Sequence, residues 1–298
     1  MEPLARSPVL GAVAAAVIAA LAGCAAARPP RTSFARYAGA PSVRDPAASD
    51  PEAIAIADRI FAAAGGAHWG EAREIRWTQT LVDPRAGRAA DPDPTPPPRT
   101  EFPKFPIEVQ PGDGAARDQR WDRWNGRYAV WTQHTDLDTA VVIDLYRGDA
   151  AVLAQTGRGA PLRGKMIAEG SGGARATWNV DTALLCLPFL LAEPDARLVR
   201  LPAMFGEDGE VRRIGATFGD PLRAGTSFEL ELAGDVIARV AVRRAASPGP
   251  VVYALGDRVV VGGLAIPTSW TEVVSGRRTQ ITRLEVRAAV DDNDFTRP

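Results

Sequence analysis

Ser227-Phe228-Glu229-Leu230-Glu231-Leu232 is the stretch on which the fold class turns. Large apolar and polar residues alternate strictly. At the two-residue period of a strand, Phe228, Leu230 and Leu232 share one face while the acids share the other. One greasy face and one wet face indicate an antiparallel sheet, because parallel strands are covered on both sides and read as continuous apolar runs. Working outward, 211–218 reads as a strand before it, and Gly234-Asp235 turns the chain into another at 236–243. Val251 to Leu255 and Arg258 to Val261 follow, then Ala265 to Val274 and Arg277 to Val290 as one long hairpin across Ser275-Gly276. In its second arm Leu284, Val286, Ala288 and Val290 alternate with Arg283, Glu285, Arg287 and Ala289. No repeat of a solenoid period is visible.

Further strands are expected at 75–82, 139–145 and 150–153, with Arg147-Gly148-Asp149 as a turn. Arg120 to Trp131 holds Asn125-Gly126 between aromatic, alternating segments, which predicts a type I′ hairpin. A two-residue turn pairs Trp124 with Arg127 and Trp121 with Val130; both faces then carry aromatics, and the inward face stays open. Two helices interrupt the strands. In 51–64, Asp50 caps, Pro51 takes the first position, and Ala53, Ile56, Ala57, Ile60, Phe61 and Ala64 form one stripe before Gly65-Gly66 stops it. In 179–195, Asp181 can cap and leucines supply bulk, while Pro188 predicts a break because the residue before Pro avoids the helical region. By periodicity that segment reads as a core helix, with a lid over a sheet as the other reading. The Gly-rich 157–173 reads as a loose loop, and 83–98, with six prolines, as an exposed insertion.

Composition narrows the function. Hydrophobic residues at 46% suffice for a core, and a net charge of −1 gives no basic footprint for nucleic acid. His68 and His134 are the two histidines and lie in no zinc-binding spacing, so no metal is expected. Ser171 sits in Glu169-Gly170-Ser171-Gly172-Gly173, one position off a nucleophile elbow, and the glycines match no phosphate loop. Asp291-Asp292-Asn293-Asp294 lacks the calcium-loop spacing and reads as a solvated tail. No cofactor is implied and no catalytic residue stands out, so the chain is read as a non-enzyme. Cys186, inside Leu184-Leu185-Cys186-Leu187, reads as a buried inert thiol.

The front of the chain carries an address. Arg6 and the apolar run to Ala22 make a secretory signal, too short for a span of roughly 20 residues. Leu21-Ala22-Gly23-Cys24 resembles the lipobox of bacterial lipoproteins. That resemblance implies cleavage after residue 23, a lipid on Cys24 and an anchor in the envelope. Ala25, where an Asp commonly signals inner-membrane retention, implies the outer membrane facing the periplasm. Residues 24–48 read as a flexible tether and 49–298 as a single domain, taken as a monomer.

The body resembles a second family. Trp178-Asn179 with Leu187-Pro188-Phe189-Leu190-Leu191-Ala192-Glu193-Pro194, the stretch Val260-Val261-Gly262-Gly263-Leu264-Ala265-Ile266-Pro267, the ending Val290 to Pro298, and Ala64-Gly65-Gly66 after a helix are similar to segments of outer-membrane lipoprotein-sorting proteins of the LolA and LolB type. The resemblance implies a strongly curved antiparallel sheet, an open half-barrel, with both helices on its concave side. It also implies a lipid or acyl-chain ligand between them. The expected contacts are Phe228, Leu230, Leu232, Trp270, Leu284 and Val286 on the sheet, with Ile60, Phe61, Leu185 and Phe189 on the helices. The Pro-rich insertion departs from the family pattern, and the carriers' lid-holding arginine has no evident counterpart. The other reading is an envelope interaction protein with a filled core, meeting a protein partner through the aromatic hairpin and the Pro-rich loop.

Overall fold

The structure, a computed structural model, describes residues 48–82, 116–132, 139–145, 152–156, 165–206, 209–220, 223–245 and 247–295. The expected signal peptide, Cys24, all but the last residue of the expected tether, the Pro-rich 83–98 and His134 lie outside the described residues.

Strict alternation produces the expected sheet. Twelve strands form one antiparallel sheet in the order β5-β4-β3-β2-β1-β14-β13-β10-β9-β8-β7-β6. These are β1 (Glu74–Val82), β2 (Ala116–Asp122), β3 (Arg127–Thr132), β4 (Thr139–Asp144), β5 (Val152–Thr156), β6 (Ala196–Gly206), β7 (Gly209–Phe218), β8 (Thr226–Ala233), β9 (Val236–Arg244), β10 (Val251–Leu255), β13 (Ser269–Glu272) and β14 (Arg278–Arg287). The last strand pairs with the first, Glu74 opposite Arg287, which joins the two halves of the chain into one sheet. The sheet does not close, since β5 and β6 stand at its ends. The β6 edge is blunted. Leu198 donates its N–H to Ser49 Oγ and accepts from Asp50 N–H, and Pro202 offers no donor.

Helix α1 (Pro51–Ala63) has the predicted cap, with Asp50 accepting from Glu52 N–H at 2.8 Å, and buries Ala53, Ile56, Ala57 and Ile60. Helix α2 (Lys165–Leu190) corrects two expectations. Its first turns occupy residues read as a loose Gly-rich loop, and it runs through Pro188 instead of breaking there. Asp181 therefore lies mid-helix and caps nothing. Burial overrides propensity here: Ala183, Leu184, Leu185, Cys186, Leu187, Phe189, Leu190 and Leu191 are all buried, so this half of the helix is enclosed on every side.

Two further corrections concern hairpins. Asp122, not Trp124, pairs with Arg127, so the turn is four residues long. A type I′ turn needs positive φ at both central residues, and among the described residues only glycines have it, Gly126 with φ 61°. Asp122 holds the wider turn by accepting from Asn125 N–H and Nδ2–H. The long hairpin expected after Ala265 is split. Leu264–Pro267 (β12) pairs with Arg258–Val261 (β11) in a separate two-stranded sheet, and only Ser269–Glu272 joins β14. Strand β6 was not anticipated at all.

The acidic ending is docked, contrary to the solvated-tail reading. Asp294 pairs with Arg76 and with Arg120 (2.7 Å), and Asp292 pairs with Arg127 (2.7 Å). Phe295 is buried beneath the Arg127 guanidinium.

Candidate hydrophobic ligand site

The ten predicted contact residues all lie in or against the hydrophobic core. Ile60, Leu185, Phe189, Phe228, Leu230, Leu232 and Trp270 belong to one buried apolar cluster, and Phe61, Leu284 and Val286 pack against it, partly buried. Strand alternation aims the sheet residues at this cluster, and helical spacing aims the others. Phe61 meets Phe189 edge-on at 6.3 Å, which ties α1 to α2.

An aromatic and arginine system, missed in the sequence, fixes both ends of the interior. Trp69, just after α1, stacks on Phe189 of α2 at 4.7 Å. Arg123, in the β2–β3 turn and fully buried, lies 3.3 Å over the Trp69 ring and donates to the Trp69 carbonyl at 2.8 Å and to the Ala72 carbonyl. Trp69 Nε1–H donates to Glu193 at 3.2 Å, just beyond α2. Burial pushes the Glu193 carboxyl up to about 7, against the pull of Arg123. The Trp121-Asp122-Arg123-Trp124 run carried a hint of this stacking. Nothing local marked Arg223, whose guanidinium lies 4.4 Å over Trp178 and donates to Asn179 and Thr182.

Mid-way along α2, Asp181 is buried and accepts from Gln79 Nε2–H (2.8 Å) on β1 and Gln119 Nε2–H (3.0 Å) on β2, with Arg117 at 3.6 Å. Desolvation raises its carboxyl, opposed by Arg117 and the two amides. Tyr128 donates to Gln119, and Trp77 to Gln79, so the polar chain is shared between helix and sheet. The Trp178 indole N–H, also buried, has no acceptor among the described residues. Such a group costs about 1–3 kcal/mol unless something pairs with it. Burial pushes the Cys186 thiol up to about 12, which leaves it unreactive. Among the described residues no three metal-ligating side chains gather, and no helix is long and apolar enough to cross a membrane.

No protein-family model matches the sequence, and no curated protein matches it. Solved structures do. A LolA superfamily protein from Nitrosomonas europaea is 11% identical, with 81% of this chain and 97% of that one covered at a TM-score of 0.45. A putative outer membrane lipoprotein-sorting protein domain from Vibrio parahaemolyticus is 10% identical, with coverage of 82% and 96% and a TM-score of 0.42. A DUF1329 family protein from Desulfovibrio piger is 9% identical, with coverage of 83% and 98% and a TM-score of 0.42.

Proposed function

We propose that this chain is an envelope binding protein, tethered through a lipid on Cys24, that holds a hydrophobic ligand between its sheet and its helices. The ligand class is a lipid or a lipoprotein acyl chain. The observation that carries this reading is the single Trp178 indole. It meets Trp121 of β2 at 5.9 Å and Arg223 of the β7–β8 connection at 4.4 Å. Strands β2 and β8 stand six places apart in the sheet, about 29 Å if it were flat. One side chain cannot bridge that span unless the sheet bends around α2. Asn179, bonded to Thr226 of β8, and Asp181, bonded to Gln119 of β2, support the same bend from a helix only about 10–12 Å across.

A half-barrel wrapped on an apolar helix gives an acyl chain a place to leave water at about 25 cal/mol per Å² of buried surface. The Trp178 N–H would meet the oxygen of an ester or carboxyl end. The mature chain carrying Cys24→Ser, purified from cells and examined by native mass spectrometry, should retain added mass that solvent extraction identifies as lipid. A protein of bare chain mass that also fails to take up a fluorescent fatty acid would leave the filled-core interaction protein as the reading. Cell fractionation should place the wild-type chain with the membrane and Cys24→Ser in the soluble periplasm.

A further inference from the structure

We infer that the β11–β12 hairpin is a hinged flap, and that it, rather than either helix, is the door through which an apolar guest reaches the interior. The inference rests on the ligand reading above and names the entrance to the same site.

The hairpin stands outside the twelve-stranded sheet. Two strands of four residues are marginal alone, so its order depends on docking. Its inner face inserts Leu264 and Ile266, both fully buried, into the core beside α2. Its outer face leaves Val260 70% exposed. The neck is defined by Gly256 N–H donating to the Ser269 carbonyl and Thr268 N–H donating to the Asp257 carbonyl. Beyond that neck, two hydrogen bonds among the described residues hold it to the body: Ala265 N–H to the Ala64 carbonyl at 2.9 Å, and the Arg258 guanidinium to the Ile237 carbonyl. The rest is surface fit. A Cβ on Gly65, at φ 83°, would lie 2.0 Å from the Gly263 carbonyl oxygen, so backbone meets backbone where α1 ends. Fit of this kind separates without breaking a network.

The helices are held differently. Helix α1 is fixed through Asp50 and Leu198, Glu52 and Arg200, and Arg59 and Asp235. Helix α2 is fixed along its length by Arg175 to the Leu145 carbonyl, Asn179 to Thr226, Asp181 to Gln79 and Gln119, and Arg223 to Thr182. Lifting α2 breaks several buried polar contacts together, and lifting α1 withdraws Ala53, Ile56, Ala57 and Ile60 from the core and breaks a backbone hydrogen bond and two exposed ion pairs. Lifting the hairpin withdraws Leu264, Ile266 and Pro267 and breaks, among the described residues, two hydrogen bonds.

Hydrogen exchange on the full chain, together with uptake of cis-parinaric acid, tests this. The backbone amides of 259–266 should exchange at least about tenfold faster than those of β8 and β9. Ile266→Ala should speed probe uptake about tenfold. An oxidised Ala64→Cys/Ala265→Cys pair should slow uptake by a similar factor, with recovery on reduction. Hairpin amides as slow as those of β8, or uptake indifferent to the cross-link while the probe still binds, would overturn the flap and leave the ligand reading intact. Absence of probe binding in every form would overturn both, and the exchange rates would still report whether the hairpin moves.

Discussion

At the scale of single residues, the interior holds charges that burial disfavours, and two of them give measurable consequences. The Glu193 carboxyl is pushed up to about 7 from 4.5, with Arg123, Arg223 and Asp195 as its charged neighbours and Trp69 as its donor. Between those two pH values the unfolded chain has released this proton and the folded chain still holds it. Stability from this group is therefore complete below about pH 4.5 and falls as pH rises through 7, by about 3 kcal/mol in all. Glu74 and Asp181, raised by burial, act in the same sense, so the comparison is with Glu193→Gln. Denaturant unfolding from pH 4.5 to 8 should show the variant gaining on the wild type by about that amount, and a constant difference would refute the buried carboxyl. Arg123 has the opposite character, because its charge is used. Arg123→Met removes the donor to two buried carbonyls and the cation over Trp69. The loss expected is about 3–5 kcal/mol, read as a lower denaturant midpoint. Its position between two tryptophans was legible in the sequence; the partners were not, since they come from the segment after α1.

At the scale of elements, the C-terminal turn Asp292–Phe295 acts as a strap over β1, β2 and β3. Glu74, fully buried, shares Arg76 with Asp294, so the strap completes an ion-pair array on the sheet's outer side. Phe295→Ala should cost about 2–3 kcal/mol through lost burial. Asp294→Asn should cost about 1 kcal/mol, and less in high salt, because the pair is only partly buried. Thermal unfolding at low and high ionic strength separates the two. The strap was misread because three acids within four residues look solvated until cations from other strands are placed beside them. Helix α2 was misread for a related reason. Glycines at 170, 172 and 173 and Pro188 argue locally against a helix, yet the enclosed Leu184–Leu191 run gains more from burial than those residues lose.

At the scale of the whole molecule, the pairing of β1 with β14 and the enclosure of α2 make one interior from both halves of the chain. Strand existence was readable wherever alternation persisted, as at β8, where Phe228, Leu230 and Leu232 point inward. That the ten residues named from the sequence lie in or against the core was readable for the same reason, since period alone decides which face a residue takes. Hairpin register at Asn125-Gly126 was not, because backbone φ at Asn125 follows from Asp122 and the buried Arg123 rather than from the dipeptide. Which residues stand opposite one another across the interior depends on contacts between positions far apart in the chain. Trp178 with Trp121 and Arg223, Asp181 with Gln79 and Gln119, and the hairpin set apart from the sheet are all of that kind. The sequence by itself determined the antiparallel sheet and its inward face, because both are written in the alternation of neighbouring residues. Only the tertiary structure decided what α2 touches and which piece lies over it, because burial, charge pairing and shape act between residues that no local period connects.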